Sequence, residues 1–122
     1  MTRCPCDSGL PAGECCEPIL QGDEALTAVA LMRSRYTAYV REDAEYLLYS
    51  WHPRTRPREV RFPENQKWLG LAIKRQEAGG EQDEEGLVEF VARFKIAGRG
   101  HRMHEISRFT RFEGRWVYLD AE

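Results

Sequence analysis

The chain has 122 residues, 42% of them hydrophobic, which suits one compact domain with a small appendage and argues against two full domains. A formal net charge of −2 at pH 7 argues against a general nucleic-acid-binding protein. No segment approaches the roughly 18 consecutive apolar residues of a membrane helix, and no apolar stretch precedes the first cysteine. We therefore expect neither a signal peptide nor a membrane span, and we predict a cytoplasmic location.

The first element in the chain is a cluster of four cysteines: Cys4, Cys6, Cys15 and Cys16. Two short pairs joined by a turn-forming loop can bring four sulfur ligands to one tetrahedral metal ion, and we predict one Zn²⁺ per chain in a closed, structural site. The nearby Arg3 is expected to offset part of the negative charge of the thiolates. Iron or copper(I) would accept the same ligands, and redox pairing of the thiols is a further alternative.

A helical pattern follows this metal-binding knuckle. Pro18 and Gly22 separate the two parts, so we divide the chain into residues 1–20, a zinc-binding motif, and residues 21–122, the main domain. Thr27 is the predicted N-cap of a helix that ends near Arg41, and Asp43 is the predicted N-cap of a second, shorter helix that includes residue 51. Prolines then predict a loop over residues 53–67, with one helical turn over residues 64–68.

The second half of the chain has the alternating pattern of β-strands. Four strands are predicted at residues 68–76, 87–96, 102–112 and 116–119, separated by short turns that contain glycine. Connections this short give consecutive antiparallel hairpins. Helices first and strands afterwards indicate the α+β class, with two helices packed on a strongly twisted antiparallel sheet of about four strands.

Glu105 is the most informative residue of the main domain, because it shares a strand face with apolar neighbours and with Ser107. Loss of water around a carboxylate disfavours its charged form, and a carboxyl group of this kind can act as a general acid or base. The alternative is a structural ion pair with an arginine: Arg33, Arg35 or Arg93.

His52 is the second candidate catalytic residue, although an imidazole at a helix end can also cap backbone carbonyls. Tyr36, Trp51, Arg93 and Ser107 are the candidate ligand-pocket residues. The alternative for the aromatic residues is packing in the core, which is where aromatic side chains at helical or strand spacing usually lie.

Several segments together resemble one known family. The two cysteine pairs resemble the SEC-C motif, the zinc-binding element also found at the C-terminus of SecA. Five further blocks resemble, in order, those of the YchJ family: residues 31–36 (LMRSRY), 51–53 (WHP), 68–71 (WLGL), 90–94 (FVARF) and 105–109 (EISRF). The resemblance covers nearly the whole chain, and it implies a nuclear-transport-factor-2-like cone, in which a curved sheet wraps around helices.

The family resemblance implies no established activity, and this chain departs from its pattern in two ways. Longer relatives carry a second SEC-C motif, whereas the four cysteines of this chain form one cluster, so we expect a single metal site here. The loop between cysteine pairs is usually lysine-rich in SEC-C motifs, whereas residues 10–14 (LPAGE) carry no positive charge. The SecA element is associated with SecB and the ribosome, and an acidic version would be repelled by such acidic surfaces.

The sequence therefore predicts an uncharacterised zinc-binding protein with a SEC-C-like knuckle on a nuclear-transport-factor-2-like domain. We expect this domain to bind an unknown protein or small-molecule ligand. The alternative is a small-molecule enzyme of the hydrolase, dehydratase or isomerase type, with Glu105 as the acid or base.

Overall fold

A computed structural model describes residues 2–122; Met1, the first residue of the predicted knuckle, lies outside the described residues. The helices are a short 3₁₀ helix (Ala12–Glu14), α1 (Cys16–Leu20), α2 (Ala28–Arg41) and α3 (Ala44–Tyr49). The strands are β1 (Gln66–Ala78), β2 (Glu85–Ile96), β3 (Arg99–Phe112) and β4 (Arg115–Ala121). Among residues 2–122, no helix is both long enough and apolar enough to cross a membrane.

Side chains fix the starts of the two main helices. The hydroxyl of Thr27 accepts a hydrogen bond from the backbone N–H of Ala30 at 3.1 Å, and Asp43 accepts from the N–H of Tyr46 at 3.0 Å. Both predicted N-caps are confirmed, because each satisfies a backbone donor that the helix itself leaves free. Helix α3 ends at Tyr49, before the predicted limit, and Trp51 instead forms a β-bridge with Tyr118.

The strands form one antiparallel sheet in the order β1-β2-β3-β4. The predicted helical turn over residues 64–68 is wrong, because β1 begins at Gln66, which pairs with Ile96 of β2. Strand β3 begins at Arg99 and not at residue 102. Ala97 and Gly98 both have positive φ and form a two-residue turn, which makes Ile96 and Arg99 partners.

One face of α2 packs on the sheet and forms the main core. The largest contributions from the helix are Leu31, Met32 and Tyr36, and they meet β2 and β3 side chains that include Phe90 and Phe109. Three of the cysteines belong to this same cluster. The α+β class and the curved sheet of four antiparallel strands are confirmed, and the N-terminal cysteine cluster is consistent with a knuckle. The division at residues 20 and 21 stays a prediction.

Candidate metal centre and ligand cavity

The structure brings together the four cysteines that the sequence predicts as metal ligands. The sulfurs of Cys4, Cys6, Cys15 and Cys16 all lie within 4.8 Å of one another. Two of the separations are 3.5 Å, between Cys6 and Cys15, and 3.9 Å, between Cys15 and Cys16. A tetrahedral Zn²⁺ ion with Zn–S bonds of about 2.3 Å needs sulfurs about 3.8 Å apart. The four thiols therefore fit one such ion.

Backbone hydrogen bonds fold the knuckle so that its two cysteine pairs meet. The N–H of Cys4 donates to the carbonyl of Leu10 at 2.9 Å, and the N–H of Ala12 donates to the carbonyl of Thr2 at 2.9 Å. Between these bonds the chain reverses through Asp7 (φ 61°) and Gly9 (φ 88°). The 3₁₀ helix then carries the chain to Cys15, so that the second pair faces the first.

An arginine from α2, and not the predicted Arg3, is the basic residue beside the thiols. Nη1 of Arg33 donates to the Cys6 carbonyl at 2.7 Å and lies 3.8 Å from the Cys6 sulfur. The Ser8 hydroxyl lies 3.1 Å from the Cys15 sulfur. A guanidinium and a hydroxyl next to the sulfurs reduce the net negative charge of a four-thiolate site. Arg3 is exposed and forms a β-bridge with Pro11.

Three of the thiols, those of Cys6, Cys15 and Cys16, are electrostatically unequal. The hydrogen bond from Cys16 lowers the pKa of the Cys6 thiol well below its usual range. The same contact, together with burial, raises the pKa of Cys16, and burial raises the pKa of Cys15. One thiolate is thus stabilised at the expense of its neighbours. A divalent cation would remove this conflict, because one shared ion of charge +2 replaces the protons of all four thiols.

Contacts with α2 and β1 attach the knuckle to the main domain. The sulfur of Cys4 lies 3.6 Å from the hydroxyl of Thr37 in α2. A carboxylate oxygen of Asp7 accepts from the backbone N–H of Leu71 in β1 at 3.1 Å. Gly70 allows this approach, since a Cβ atom there would lie 2.8 Å from the same oxygen. The metal-binding loop therefore supplies a hydrogen bond to the edge of the sheet.

A cavity of about 270 Å³ lies between α2 and the sheet. Four of the residues that the sequence analysis selects line it together: Tyr36, Trp51, Glu105 and Ser107. They come from α2, from the segment after α3 and from β3, so the fold joins parts of the chain that are distant in sequence. The other lining side chains are aromatic or apolar except that of Arg35, and Tyr118 adds a phenol hydroxyl group.

Glu105 is half-buried at this cavity and is held by two hydroxyl groups. One of its carboxylate oxygens accepts from Ser107 at 2.5 Å and from the Tyr118 hydroxyl at 3.3 Å. Across residues 2–122, no arginine forms a salt bridge with it, so the predicted alternative of a structural ion pair is not what the structure shows. Burial raises the pKa of Tyr118, and the nearby negative charge of Glu105 raises it further.

Two predicted residues lie away from the cavity. Arg93 is exposed, because the side chains of β2 alternate and its neighbour Ala92 is the one that faces the core. Arg93 does not line this cavity, and its role in ligand binding stays a prediction. The ring of His52 packs on Phe112, with centroids 5.4 Å apart, and its Nδ1 accepts from the backbone N–H of Arg54. His52 is therefore not a partner of Glu105 in this cavity.

Arg35 is a charged cavity residue that was not predicted from the sequence as part of the ligand pocket. It is 4% exposed, and its guanidinium carbon lies 4.9 Å from the ring centroid of Trp51 and 4.8 Å from that of Tyr118. A signal was present in the sequence. Arg35 follows the buried Met32 by three residues in α2, a spacing that places both on the same helix face.

A second, more open concavity of about 780 Å³ lies between α1, α3 and the turn that joins β3 to β4. Its rim includes the acidic residues Glu24, Asp43 and Glu113. None of the residues that the sequence analysis selects as catalytic or ligand-binding lines it. The smaller cavity is therefore the better candidate for a ligand site, because convergent polar groups lie there within apolar walls.

These features define a class of protein: a cone-shaped α+β domain with a four-cysteine motif attached at its N-terminal side. Residues 27–121 match the family model described as the middle, nuclear-transport-factor-2-like domain of YchJ. The chain belongs to the YchJ-like family. The family and the fold predicted from the sequence are both confirmed.

Relatives and solved structures agree with this assignment. The chain is 53% identical over 123 residues to a UPF0225 protein of Chromobacterium violaceum, which covers 97% of this chain and 90% of that protein. The solution structure of a SEC-C motif containing protein from Rhodopseudomonas palustris superposes with a TM-score of 0.85 at 32% identity, covering 99% of this chain and 98% of that one. A crystal structure of a SEC-C motif containing protein from Psychrobacter arcticus has a TM-score of 0.78 at 26% identity, covering 96% of this chain and 80% of that one.

Proposed function

We propose that the chain is a zinc-binding protein in which a structural Cys4 knuckle supports a cone domain that binds a small ligand or a protein partner. The observation that carries the proposal is the convergence of four cysteine sulfurs within 4.8 Å of one another. Four cysteine ligands favour Zn²⁺ among the common divalent ions. A cytoplasmic location belongs to the proposal, because a reducing compartment keeps such thiols available for metal.

Burial of the ligands supports a structural role and not a catalytic one. Cys4, Cys6 and Cys16 are each at most 4% exposed, and they pack in the same cluster as the main core. Four sulfur ligands complete a tetrahedral shell and leave no position for a reacting water molecule. We infer that the ion holds the knuckle against α2 and β1 through the contacts of Asp7 and Arg33.

Metal analysis tests the zinc site directly. Protein purified without a tag or added metal is expected to contain about one zinc per chain, with no thiol that reacts in the folded state. Cys15→Ser should lower the zinc content well below one per chain while changing the core little, because Cys15 is the least buried of the four ligands. Elemental analysis and thiol titration measure both quantities.

Glu14→Gln is the matched control, because Glu14 is the exposed neighbour of Cys15 and forms no side-chain hydrogen bond among the described residues. It should retain full zinc content. Wild-type protein that is free of metal and has four titratable thiols would contradict the zinc proposal and point to redox chemistry at the knuckle.

A second candidate function is a small-molecule enzyme that uses Glu105 as acid or base. The observation in its favour is a carboxylate at the wall of a largely apolar cavity, bonded to two hydroxyl groups and without an arginine partner. Any hydrolysis, dehydration or isomerisation that the wild-type protein catalyses should slow by roughly 10²-fold or more in Glu105→Gln. Steady-state rates measure this effect, and an unchanged rate in a folded variant would rule out this role.

A further inference from the structure

Arg35 carries a positive charge in the interior without a charged partner. Its Nη1 donates to the carbonyl of Leu47 at 2.9 Å and to the hydroxyl of Ser50 at 2.6 Å. Within the described part of the chain, its Nε and Nη2 donate no hydrogen bond and it forms no salt bridge. An arginine stays protonated even when burial lowers its pKa, as it does here. The charge is therefore only partly compensated.

The unused N–H groups of Arg35 are not fully enclosed by protein. Trp51 Nε1 is the one fully buried side-chain nitrogen or oxygen without a hydrogen-bond partner in residues 2–122. The free donors of Arg35 are therefore not fully enclosed, and Arg35 lines the cavity of about 270 Å³. The rings of Trp51 and Tyr118 contact the guanidinium, so they fix its position and exclude water from it.

The chemical complement of such a group is a carboxylate, whose two oxygens match the fork of donors on an arginine. Between largely apolar walls, this pair is stronger than the same pair at the surface. Charged hydrogen bonds also discriminate against neutral analogues, because a neutral ligand leaves the buried charge uncompensated.

The aromatic walls and the Glu105 carboxylate limit the rest of the ligand. Tyr36 and Trp68 meet edge to face, with centroids 5.5 Å apart, and Phe90 adds a third aromatic side chain. These walls suit a flat, apolar body. Glu105, which uses one carboxylate oxygen for Ser107 and Tyr118, would repel a second negative charge and attract a hydrogen-bond donor.

We propose that this cavity binds a small aromatic monocarboxylate whose carboxylate pairs with Arg35 and whose hydroxyl or amino group donates to Glu105. The inference rests on the proposed ligand-binding function of the cone and gives that ligand a chemical class. The cavity volume is near the lower end of the range of ligand pockets, about 300 Å³, so the ligand is of single-ring size.

A matched pair of probes tests the charge requirement. Zinc-loaded ¹⁵N-labelled protein is titrated with 4-hydroxyphenylacetate and with its neutral amide, 4-hydroxyphenylacetamide, and binding is followed by NMR. The acid is expected to bind roughly tenfold or more tightly than the amide, because its hydrogen bond to Arg35 joins two charges. The indole N–H resonance of Trp51 should move, along with the backbone resonances of Ser107 and Tyr118.

Variants assign the effect to the cavity. Arg35→Gln should abolish the preference for the acid, whereas Arg93→Gln, at an exposed position on the opposite face of β2, should leave it unchanged. If Arg35→Gln does not fold, Glu105→Gln supplies an independent test. Removal of that negative charge weakens the hydrogen bond from the 4-hydroxyl group of both probes, so the amide should bind more weakly. The same change removes repulsion of the ligand's carboxylate, so the ratio of acid affinity to amide affinity should rise a few-fold.

Three results would overturn the inference: equal affinities for acid and amide, resonance changes confined to other surfaces, or no binding of either probe at millimolar concentration. Each of them is separable from failure of the proposed function. Zinc content is measured on the same samples and tests the metal site separately. If only the neutral amide binds, the cone is a ligand-binding domain that does not recognise a carboxylate.

Discussion

Removal of the metal is expected to lower the melting temperature of the protein by about 10 to 20 °C, whether it is achieved by chelation or by Cys16→Ser. Cys16 is 1% exposed, and its sulfur belongs to both the thiol cluster and the main core. Without the ion, the thiols remain packed together although the pKa of Cys6 is lowered and that of Cys16 is raised. In Cys16→Ser, the hydroxyl of serine is a poor ligand for zinc. Thermal unfolding followed by circular dichroism measures the change.

Loss of the metal should loosen the knuckle and one edge of the sheet before the cone unfolds. The backbone N–H of Leu71 donates to Asp7, which lies in the loop between the cysteine pairs. Hydrogen exchange at Leu71 should therefore accelerate in the metal-free protein. Amides at the centre of β2 should keep their protection, because β2 pairs with a strand on each side.

Glu14→Gln controls for substitution within the knuckle and should melt at the wild-type temperature. A metal-free protein that melts within a few degrees of the zinc-bound form, with unchanged exchange at Leu71, would show that the knuckle does not stabilise the fold. The zinc site would then need a role in binding or redox chemistry, and the attachment of the knuckle to β1 would have no energetic consequence.

Local sequence signals predict the parts of this fold that depend on neighbouring residues. The N-caps at Thr27 and Asp43 are visible in the sequence because each acts on a donor three residues later. The candidate metal ligands are equally easy to identify from the sequence, since all four cysteines lie within one short segment. The prediction of a helical turn over residues 64–68 was wrong, because β1 begins there. The conformation of this strand is set by pairing with β2, about thirty residues further on.

The ligand cavity is only partly predictable for the same reason. Alternation along β3 places Glu105 and Ser107 on one face, and this much follows from the pattern. The same rule in β2 puts Arg93 opposite the buried Ala92, so its assignment to the pocket conflicted with the alternation of its own strand. The contact of Arg33 with the Cys6 carbonyl spans 27 positions, and no local pattern encodes it.

Gly86→Ala is expected to destabilise the protein by about 2 to 3 kcal/mol, because the backbone there leaves no room for a side chain. A Cβ atom at Gly86 would lie 2.6 Å from the Cα atom of Gly79 and 3.1 Å from the Cβ atom of Ala28. This is where the end of the β1-β2 hairpin meets the start of α2, since the N–H of Ala28 donates to the Gly79 carbonyl at 2.9 Å. Urea unfolding measures the loss.

Two further variants separate steric overlap from a general effect of replacing glycine. Gly100→Ala is the matched control, because Gly100 also lies in a strand and a Cβ atom there would have no neighbour within 4 Å; its stability should stay near that of the wild type. Ala28→Gly combined with Gly86→Ala removes the contact with the helix but not the one with the Gly79 backbone, so it should recover only part of the loss. Equal stabilities for Gly86→Ala and Gly100→Ala would mean that the hairpin can move away from α2, and the orientation of the helix that carries Arg35 and Tyr36 would then not depend on this contact.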